Sequence, residues 1–205
     1  MKISVSAKIS FLLMMSISML SNADTIDTVG QEPYEQCGYC HEYDGNSKMP
    51  LYPRLAGQRK QYIKKQLRDF RAGKRKGTMQ ATAEMLTDED INIVAKYFSQ
   101  QVVILNTRLS VMNKQNGWAK NLFLQGDKKR NLPACSDCHG QSGLGLTVVP
   151  RLASQHESYL YQQLVAFKTG ERTNDLAQQM QGISQQLSDR EMRLLAEYLA
   201  NLSGQ

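Results

Sequence analysis

Two short stretches decide the fold: CGYCH at residues 37–41 and CSDCHG at residues 135–140. All four cysteines of the 205-residue chain lie inside them. A disulfide within Cys-x-x-Cys would close a very small loop and stabilise little, and no βαβ pattern typical of a thioredoxin-like redox site surrounds either stretch. Cys-x-x-Cys followed directly by His is instead typical of covalent attachment of c-type haem.

The order of residues in each motif suits one haem. Two thiols three positions apart on a helical turn can reach the two vinyl groups of a single porphyrin, and the following histidine can bind its iron. The sequence therefore predicts two covalently bound haem c groups. The predicted attachment residues are Cys37, Cys40, Cys135 and Cys138, and the predicted axial ligands on the proximal side are His41 and His139.

Zinc is the competing interpretation of the cysteines. Two zinc sites with two cysteines and two histidines each would need four histidines. The chain has three, at positions 41, 139 and 156. One zinc ion held by all four cysteines stays open as an alternative, although it would leave both motif histidines without a role.

The chain contains an internal repeat. PRLAGQRKQYIKKQLRDFRAGKR, which starts at Pro53, recurs as PRLASQHESYLYQQLVAFKTGER from Pro150. Further on, MLTDEDINIVAKYF from Met85 matches QLSDREMRLLAEYL from Gln186. Such self-similarity predicts two copies of one small domain, at residues 24–105 and 106–205.

Each copy is predicted to be helical. Residues 58–70 carry apolar side chains at helical spacing, and 87–90 and 188–191 have the pattern of a capping box at a helix start. Shorter helices are expected at 32–36 and 118–125, in front of the cysteine motifs. Sustained strand alternation does not occur in the sequence, so we expect an all-α fold of two tandem domains, each wrapping a few helices around one haem.

The residue on the other side of each iron decides whether the site is closed or open to ligands. The repeat pairs Met79 with Met180, each seven residues before a leucine, whereas Met85 and Met192 pair with residues other than methionine. A methionine is often only an adaptable core residue. Presence at the same place in both copies makes Met79 and Met180 the predicted distal ligands.

Further recurring residues suggest support for the haem. Pro53 lies twelve positions after His41, and Pro150 lies eleven after His139, so their carbonyls are candidates to orient the imidazoles. A purely loop-shaping role of the prolines fits the spacing as well. Recurring arginine and tyrosine residues could bond haem propionates, although core and surface roles are equally open; they are Arg54, Arg151, Tyr62 and Tyr159. His156 has no histidine counterpart in the first copy and is expected on the surface.

The first 23 residues predict a cleaved signal peptide. Lys2 and Lys8 precede an apolar run that is shorter than the roughly twenty residues of a membrane span, and small residues follow up to Ala23. An uncleaved membrane anchor is the weaker alternative. Loss of this leader lowers the formal charge from +6 to +4, which is not a nucleic-acid signature. The basic residues within 68–76 and 128–130 form either a solvated face or a docking patch for an acidic partner.

The motifs taken together resemble the di-haem cytochrome c4 family. Those that carry the resemblance are CGYCH, PRLAGQ, RKGTM, LTDED, CSDCHG, PRLASQ, ERTNDLAQQM and LSDREM, in this order along the chain. The resemblance implies two class I-like cytochrome c domains, His–Met ligation through Met79 and Met180, imidazoles bonded to the Pro53 and Pro150 carbonyls, and facing haems near the domain interface.

The resemblance also implies a function. It predicts a periplasmic electron carrier, not an enzyme, that passes electrons towards a terminal oxidase. Expected partners are redox proteins: a quinol–cytochrome c oxidoreductase, a terminal oxidase or a dehydrogenase, with peripheral membrane association left open. The alternatives are a haem subunit of a dehydrogenase for sulfur compounds and a catalytic haem protein such as a peroxidase.

Two departures from the family pattern concern the first copy. Glu42 stands where such motifs more often carry glycine, as Gly140 does in the second copy. The segment RKGTM also lacks a counterpart of Asn174-Asp175. The two haem environments are therefore not expected to be equal.

Overall fold

The computed structural model describes residues 32–105 and 114–203. The predicted signal peptide, residues 24–31 and the predicted domain boundary at 105/106 lie wholly or partly outside this range. Within it the structure is helical, and the only strand-like pairing is a single bridge between Asp127 and Leu132. None of the helices in these two ranges is long and apolar enough to cross a membrane.

The N-terminal half (32–105) contains four helices: α1 Pro33–His41, α2 Lys60–Arg71, α3 Met79–Glu84 and α4 Asp88–Gln100. Helix α4 packs on α1 and α2, and α3 packs on α2. Their buried faces form one core of aliphatic and aromatic side chains, Ile63, Leu67, Ile91, Val94, Ala95 and Phe98.

The C-terminal half (114–203) repeats this plan. Its helices are α5 Lys114–Gln125, α6 Ser136–His139, α7 Glu157–Thr169, α8 Gln179–Gln185 and α9 Asp189–Ala200, with short 3-10 turns at Lys128–Arg130 and Leu176–Gln178. Helix α9 packs on α5 and α7, and α8 packs on α7. A second, separate core fills this half, with Phe123, Leu160, Leu187, Leu195 and Leu199 among its members. The all-α prediction is confirmed.

The predicted helix starts at 87–90 and 188–191 are confirmed. Thr87 Oγ1 accepts a hydrogen bond from the Asp90 backbone N–H, and the Asp90 carboxylate accepts the Thr87 N–H at 2.8 Å. Ser188 and Glu191 form the same pair of bonds at the start of α9. These bonds satisfy N–H groups that have no partner within the helix.

Three predicted helices have other bounds in the structure. The helix expected at 32–36 is α1, which begins at Pro33 and continues through the cysteine motif to His41. The helix expected at 118–125 is α5, which begins earlier, at Lys114.

The periodic pattern predicts a helix from residue 58, but α2 begins at Lys60. Gln58 is buried and its side chain is hydrogen-bonded to the Arg151 backbone in the other half. Residues 58 and 59 therefore lie outside the helix, and Gln58 contacts the other half instead of forming part of the first helical turn.

A glycine holds the loop that contains each recurring proline. The Gly45 carbonyl accepts the backbone N–H groups of Leu55 and Ala56, at 2.8 and 3.0 Å. In the C-terminal half the Gly143 carbonyl does the same for Leu152 and Ala153. Both glycines have positive φ, +72° and +64°, a conformation that other residues adopt only with strain.

We predict that Gly45→Ala destabilises the protein more than Gly73→Ala. Both glycines have similar positive φ, +72° and +67°, so both variants lose about 1 kcal/mol from backbone strain. A Cβ at Gly45 would lie 2.7 Å from Ala56 N and 2.8 Å from Phe98 Cδ1, whereas a Cβ at Gly73 would meet nothing within 4 Å. Overpacking of this kind adds about 1–3 kcal/mol. Urea unfolding of the haem-loaded protein measures both losses, and equal losses would contradict the close approach at Gly45.

Candidate haem-binding sites

Each half buries one imidazole at the end of a short helix. His41, the last residue of α1, is 4% exposed, and its Nδ1 lies 2.8 Å from the Pro53 carbonyl oxygen. His139, the last residue of α6, is 6% exposed, and its Nδ1 lies 3.0 Å from the Pro150 oxygen. Because a carbonyl only accepts hydrogen bonds, Nδ1 carries the proton in both rings and Nε2 keeps a free lone pair.

Burial keeps these imidazoles neutral. It lowers the pKa of His41 and His139, and the hydrogen bond to the prolyl carbonyl opposes this shift only in part. A neutral ring with one nitrogen fixed by a carbonyl is the state in which histidine binds a metal. The chain thus presents two oriented imidazoles that could bind a metal, one in each half.

The cysteines of each motif have unequal environments. Cys37 and Cys135 are half-buried, whereas Cys40 and Cys138 are exposed, and all four are free thiols. Burial raises the pKa of both Cys37 and Cys135 to about 11, so these thiols stay protonated at neutral pH. Within each motif one thiol is therefore half-buried and protonated, and the other is open to solvent.

The paired methionines are half-buried on short helices. Met79 opens α3 and packs, like Cys37, against the N-terminal core. Met180 is the second residue of α8, and Ile183 of the same helix packs with Cys135 against the C-terminal core. The methionine-bearing helix and the cysteine motif of each half thus meet at a shared core.

The remaining methionines have other environments. Met49 and Met85 are exposed by 55% and 72%, and Met192 is a core residue of 3% exposure. Met112 lies outside the described residues. Burial, like the repeat, therefore favours Met79 and Met180 as distal ligands, and this assignment stays a prediction.

The residues present fit haem better than zinc. Within 32–105 and 114–203, no three or more His, Cys, Asp or Glu side chains are grouped so as to hold a metal ion. In the same ranges the Nε atoms of Arg54 and Arg151 are buried without a hydrogen-bond acceptor. Burial, and secondarily the neighbouring Arg54, lowers the pKa of Arg151 to about 10. The protonated guanidinium group is therefore destabilised at this buried position. A carboxylate of a haem would supply the missing acceptor and counter-charge.

A second pair of buried arginines joins the two halves. Arg75 Nη2 donates to the Tyr159 hydroxyl at 3.0 Å, and Arg172 Nη2 donates to the Tyr62 hydroxyl at 3.1 Å. Burial raises the pKa of Tyr62, but the neighbouring guanidinium groups of Arg172 and Arg75 outweigh this effect and lower it. The two tyrosines singled out in the sequence thus lie at this contact. Arg75 and Arg172 also coincide in the repeat, which was the signal that could have singled them out.

Asn174 explains one departure between the copies. Its Nδ2 donates to Asp69 Oδ2 at 2.6 Å and to Gln66 Oε1 at 3.0 Å, both in the N-terminal half. Asp175 accepts the Gln181 backbone N–H and so supports the start of α8. The Asn-Asp pair of the second copy therefore contributes both to the contact between halves and to the placement of Met180.

The expectation of a surface position for His156 is wrong. This residue precedes α7 and is only 9% exposed. Its pKa is lowered by burial and, secondarily, by Arg54 of the other half, which shows that it lies at the contact between halves. The absence of a histidine counterpart in the repeat does not reveal a position of this kind.

Glu42 adopts a backbone conformation that normally requires glycine. It follows His41 directly with φ 61° and ψ 150°, and Gly140 follows His139 with φ 76° and ψ 152°. The turn after both imidazoles is thus the same, although its residue differs. This region is essentially restricted to glycine, and other residues adopt it at a cost of about 1–3 kcal/mol.

Comparisons with known proteins agree with this description. Residues 120–203 match the family model described as cytochrome c, and residues 26–98 match that of cytochrome C oxidase, cbb3-type, subunit III. Cytochrome c4 of Stutzerimonas stutzeri is 34% identical over 207 residues, which cover 95% of this chain and 97% of the relative. A thiosulfate dehydrogenase electron acceptor of S. stutzeri (strain A1501) is 37% identical, over 81% of this chain and 78% of the relative.

A solved structure is also similar. The crystal structure of reduced recombinant cytochrome c4 from Pseudomonas stutzeri matches with a TM-score of 0.76 and 34% identity, over 83% of this chain and 96% of that one. The fold and the sites therefore define a di-haem electron-transfer cytochrome with two cytochrome c domains and two covalently bound haem c groups. The chain belongs to the cytochrome c4 family.

We predict that Glu42→Gly stabilises the protein by about 1 kcal/mol. Relief of the backbone strain is worth about 1–3 kcal/mol, and the greater freedom of glycine in the unfolded chain takes back about 0.5–1 kcal/mol. Gly140→Ala is the matched opposite change and should destabilise, because a Cβ there meets nothing within 4 Å and only strain is added. Urea unfolding of the haem-loaded variants measures both. A loss of stability in Glu42→Gly would show that the glutamate side chain contributes more than its backbone costs.

Proposed function

We propose that this chain is an exported, periplasmic di-haem electron carrier that passes electrons between respiratory complexes towards a terminal oxidase. The observation that supports it most is that each half contains a buried, neutral imidazole hydrogen-bonded to a prolyl carbonyl. Family membership and the half-buried methionine of each half add to this support. The proposed domains are 24–105 and 106–205, preceded by a leader, 1–23, that is removed on export.

The proposed roles of the residues are the same in both halves. In each half the two cysteine thiols would hold a haem covalently through its vinyl groups, and the histidine Nε2 and the methionine sulfur would bind its iron. The attachment residues are Cys37, Cys40, Cys135 and Cys138; the ligand pairs are His41 with Met79 and His139 with Met180. When bound, haem iron alternates between iron(II) and iron(III) and so holds one electron at each site.

The chain's own contribution is to bury both imidazoles and to fix their orientation by hydrogen bonds. Burial of both imidazoles excludes water, and the hydrogen bonds to Pro53 and Pro150 keep the rings in place when the charge of the site changes. A thioether ligand favours the reduced state and closes the site to small ligands. These properties suit reversible electron transfer rather than catalysis.

We predict that Met79→Ala and Met180→Ala each open one site. Each purified, haem-loaded variant should bind one carbon monoxide per chain in the reduced state and should have a lower midpoint potential at the affected site, because loss of the thioether disfavours iron(II). The parent should contain two haems per chain and bind no carbon monoxide. Difference spectra and a redox titration provide both measurements.

Met85→Ala is the matched control, since this methionine is 72% exposed and lies at the end of the helix that Met79 opens. It should leave the spectra unchanged. Carbon monoxide binding by the parent would contradict closed ligation and favour a catalytic haem protein such as a peroxidase. Unchanged spectra in both ligand variants would show that other residues bind the iron.

The similarity to a thiosulfate dehydrogenase electron acceptor favours a second candidate function, in which a sulfur-oxidising dehydrogenase reduces this chain. We expect the oxidised protein to stay oxidised with thiosulfate alone. Faster reduction by a thiosulfate dehydrogenase with thiosulfate than by a quinol–cytochrome c oxidoreductase with quinol would favour the second candidate. The reverse order of stopped-flow rates would favour the respiratory role, and reduction by thiosulfate alone would indicate catalysis by the chain itself.

A further inference from the structure

Each half contributes one glutamine side chain that forms hydrogen bonds with the other half, and the two glutamines occupy equivalent positions in the repeat. Gln58 closes PRLAGQ and Gln155 closes PRLASQ, and they are only 4% and 2% exposed. Neither had a role in the expectations drawn from the sequence. Buried polar side chains of this kind persist because their hydrogen bonds are satisfied.

Each glutamine binds both backbone groups of one arginine in the opposite half. Gln155 Oε1 accepts the Arg54 N–H at 2.8 Å, and its Nε2 donates to the Arg54 carbonyl at 2.9 Å. Gln58 Oε1 accepts the Arg151 N–H at 2.7 Å, and its Nε2 donates to the Arg151 carbonyl at 3.0 Å. The same two-bond clamp thus occurs twice, in opposite directions.

The surroundings fix the orientation of both side-chain amides. Gln58 Oε1 also accepts the Arg59 N–H at 2.9 Å, and Gln155 Oε1 also accepts the His156 N–H at 3.0 Å. Two N–H donors therefore face one end of each amide, and a carbonyl faces the other end. Only an oxygen can accept both N–H bonds, so a flipped amide is excluded.

In each half, the peptide group that is bonded to the glutamine is also the peptide group that is bonded to the imidazole. The Pro53 carbonyl, which accepts the His41 Nδ1–H, and the Arg54 N–H, which donates to Gln155, belong to the same peptide group. A continuous chain of hydrogen bonds therefore runs from His41 through this peptide to Gln155. The corresponding chain runs from His139 through the Pro150–Arg151 peptide to Gln58.

Hydrogen bonds in such a chain polarise one another. A peptide whose N–H is bonded to an acceptor places more negative charge on its carbonyl oxygen and accepts the imidazole N–H more strongly. A stronger bond at Nδ1 makes the other ring nitrogen a better electron donor to a bound metal. Greater donation favours the oxidised iron and lowers its reduction potential.

We propose that Gln58 and Gln155 are positioning residues that act across the boundary between the halves: Gln155 tunes the iron site of His41, and Gln58 tunes that of His139. This inference rests on the proposed function, in which both histidines bind haem iron. It assigns each site a control residue in the other domain. Each imidazole is thereby connected, through one peptide group, to a glutamine side chain of the other half.

The test uses Gln155→Leu and Gln58→Leu in the haem-loaded full chain. Gln155→Leu should raise the midpoint potential of the His41 site and leave that of the His139 site unchanged, and Gln58→Leu should do the reverse. A spectroelectrochemical titration gives both potentials, and the spectra of Met79→Ala and Met180→Ala assign them to the sites. Proton NMR should show a matching shift of the Nδ1–H resonance of the affected histidine only.

Two further variants separate tuning from loosening of the structure. Gln155→Glu keeps an acceptor for the Arg54 N–H, so the potential of the His41 site should not rise. Arg59→Lys keeps the charge but removes the hydrogen bond from Arg59 Nε to the Leu144 carbonyl, another contact between the halves, and should shift neither potential selectively. Urea unfolding of each variant shows how far stability alone has changed.

The outcomes are distinct. Equal shifts at both sites, a shift at the site of the glutamine's own half, or no shift at either would each overturn the proposal. If the leucine variants do not fold, hydrogen exchange of the Arg54 and Arg151 amides in the parent decides, because fast exchange would exclude the clamps. Failure of the proposed function appears separately, as carbon monoxide binding or a haem content other than two in the parent.

Discussion

The hydrogen bond between a buried imidazole and a prolyl carbonyl is the interaction on which each half depends. It fixes the proton on Nδ1 of His41 and His139 and leaves the other nitrogen free for iron. The prolyl loop is held in turn by a glycine carbonyl that accepts two backbone N–H groups. The short helix with the cysteine motif brings the imidazole to this loop. A small core therefore suffices to orient the imidazole, because backbone groups do most of the positioning.

Polar groups make the described contact between the halves, although each half has its own apolar core. Arg75 and Arg172 lie over the rings of Phe70 and Phe167 and donate to tyrosine and glutamine side chains across the boundary. Buried guanidinium groups are costly unless hydrogen-bonded and compensated by negative charge. Arg75 and Arg172 meet the first condition through bonds to tyrosine and glutamine side chains of the opposite half.

The repeat is close to symmetric in its contacts and asymmetric at a few positions. The glycine loop occurs once within each half, whereas the glutamine clamp and the arginine–tyrosine bond each occur in both directions between the halves. Glu42 and Asn174 break this equivalence, the first with a strained turn beside one imidazole and the second with bonds to Asp69 and Gln66 that have no counterpart. Differences between the two redox sites are thus built from local substitutions on a common frame.

The sequence by itself determined the cofactor, the duplication, the helical class and the helix starts at Thr87 and Ser188, because each of these is written in local spacing or in internal repetition. Only the tertiary structure decided what Gln58, Gln155 and His156 do. The bond between Arg54 and Gln155 joins residues 101 positions apart, and such a contact depends on how two folded halves meet. Helical periodicity is a local pattern, so it predicted Gln58 as part of a helix. In the folded chain Gln58 precedes that helix and is hydrogen-bonded to the other half.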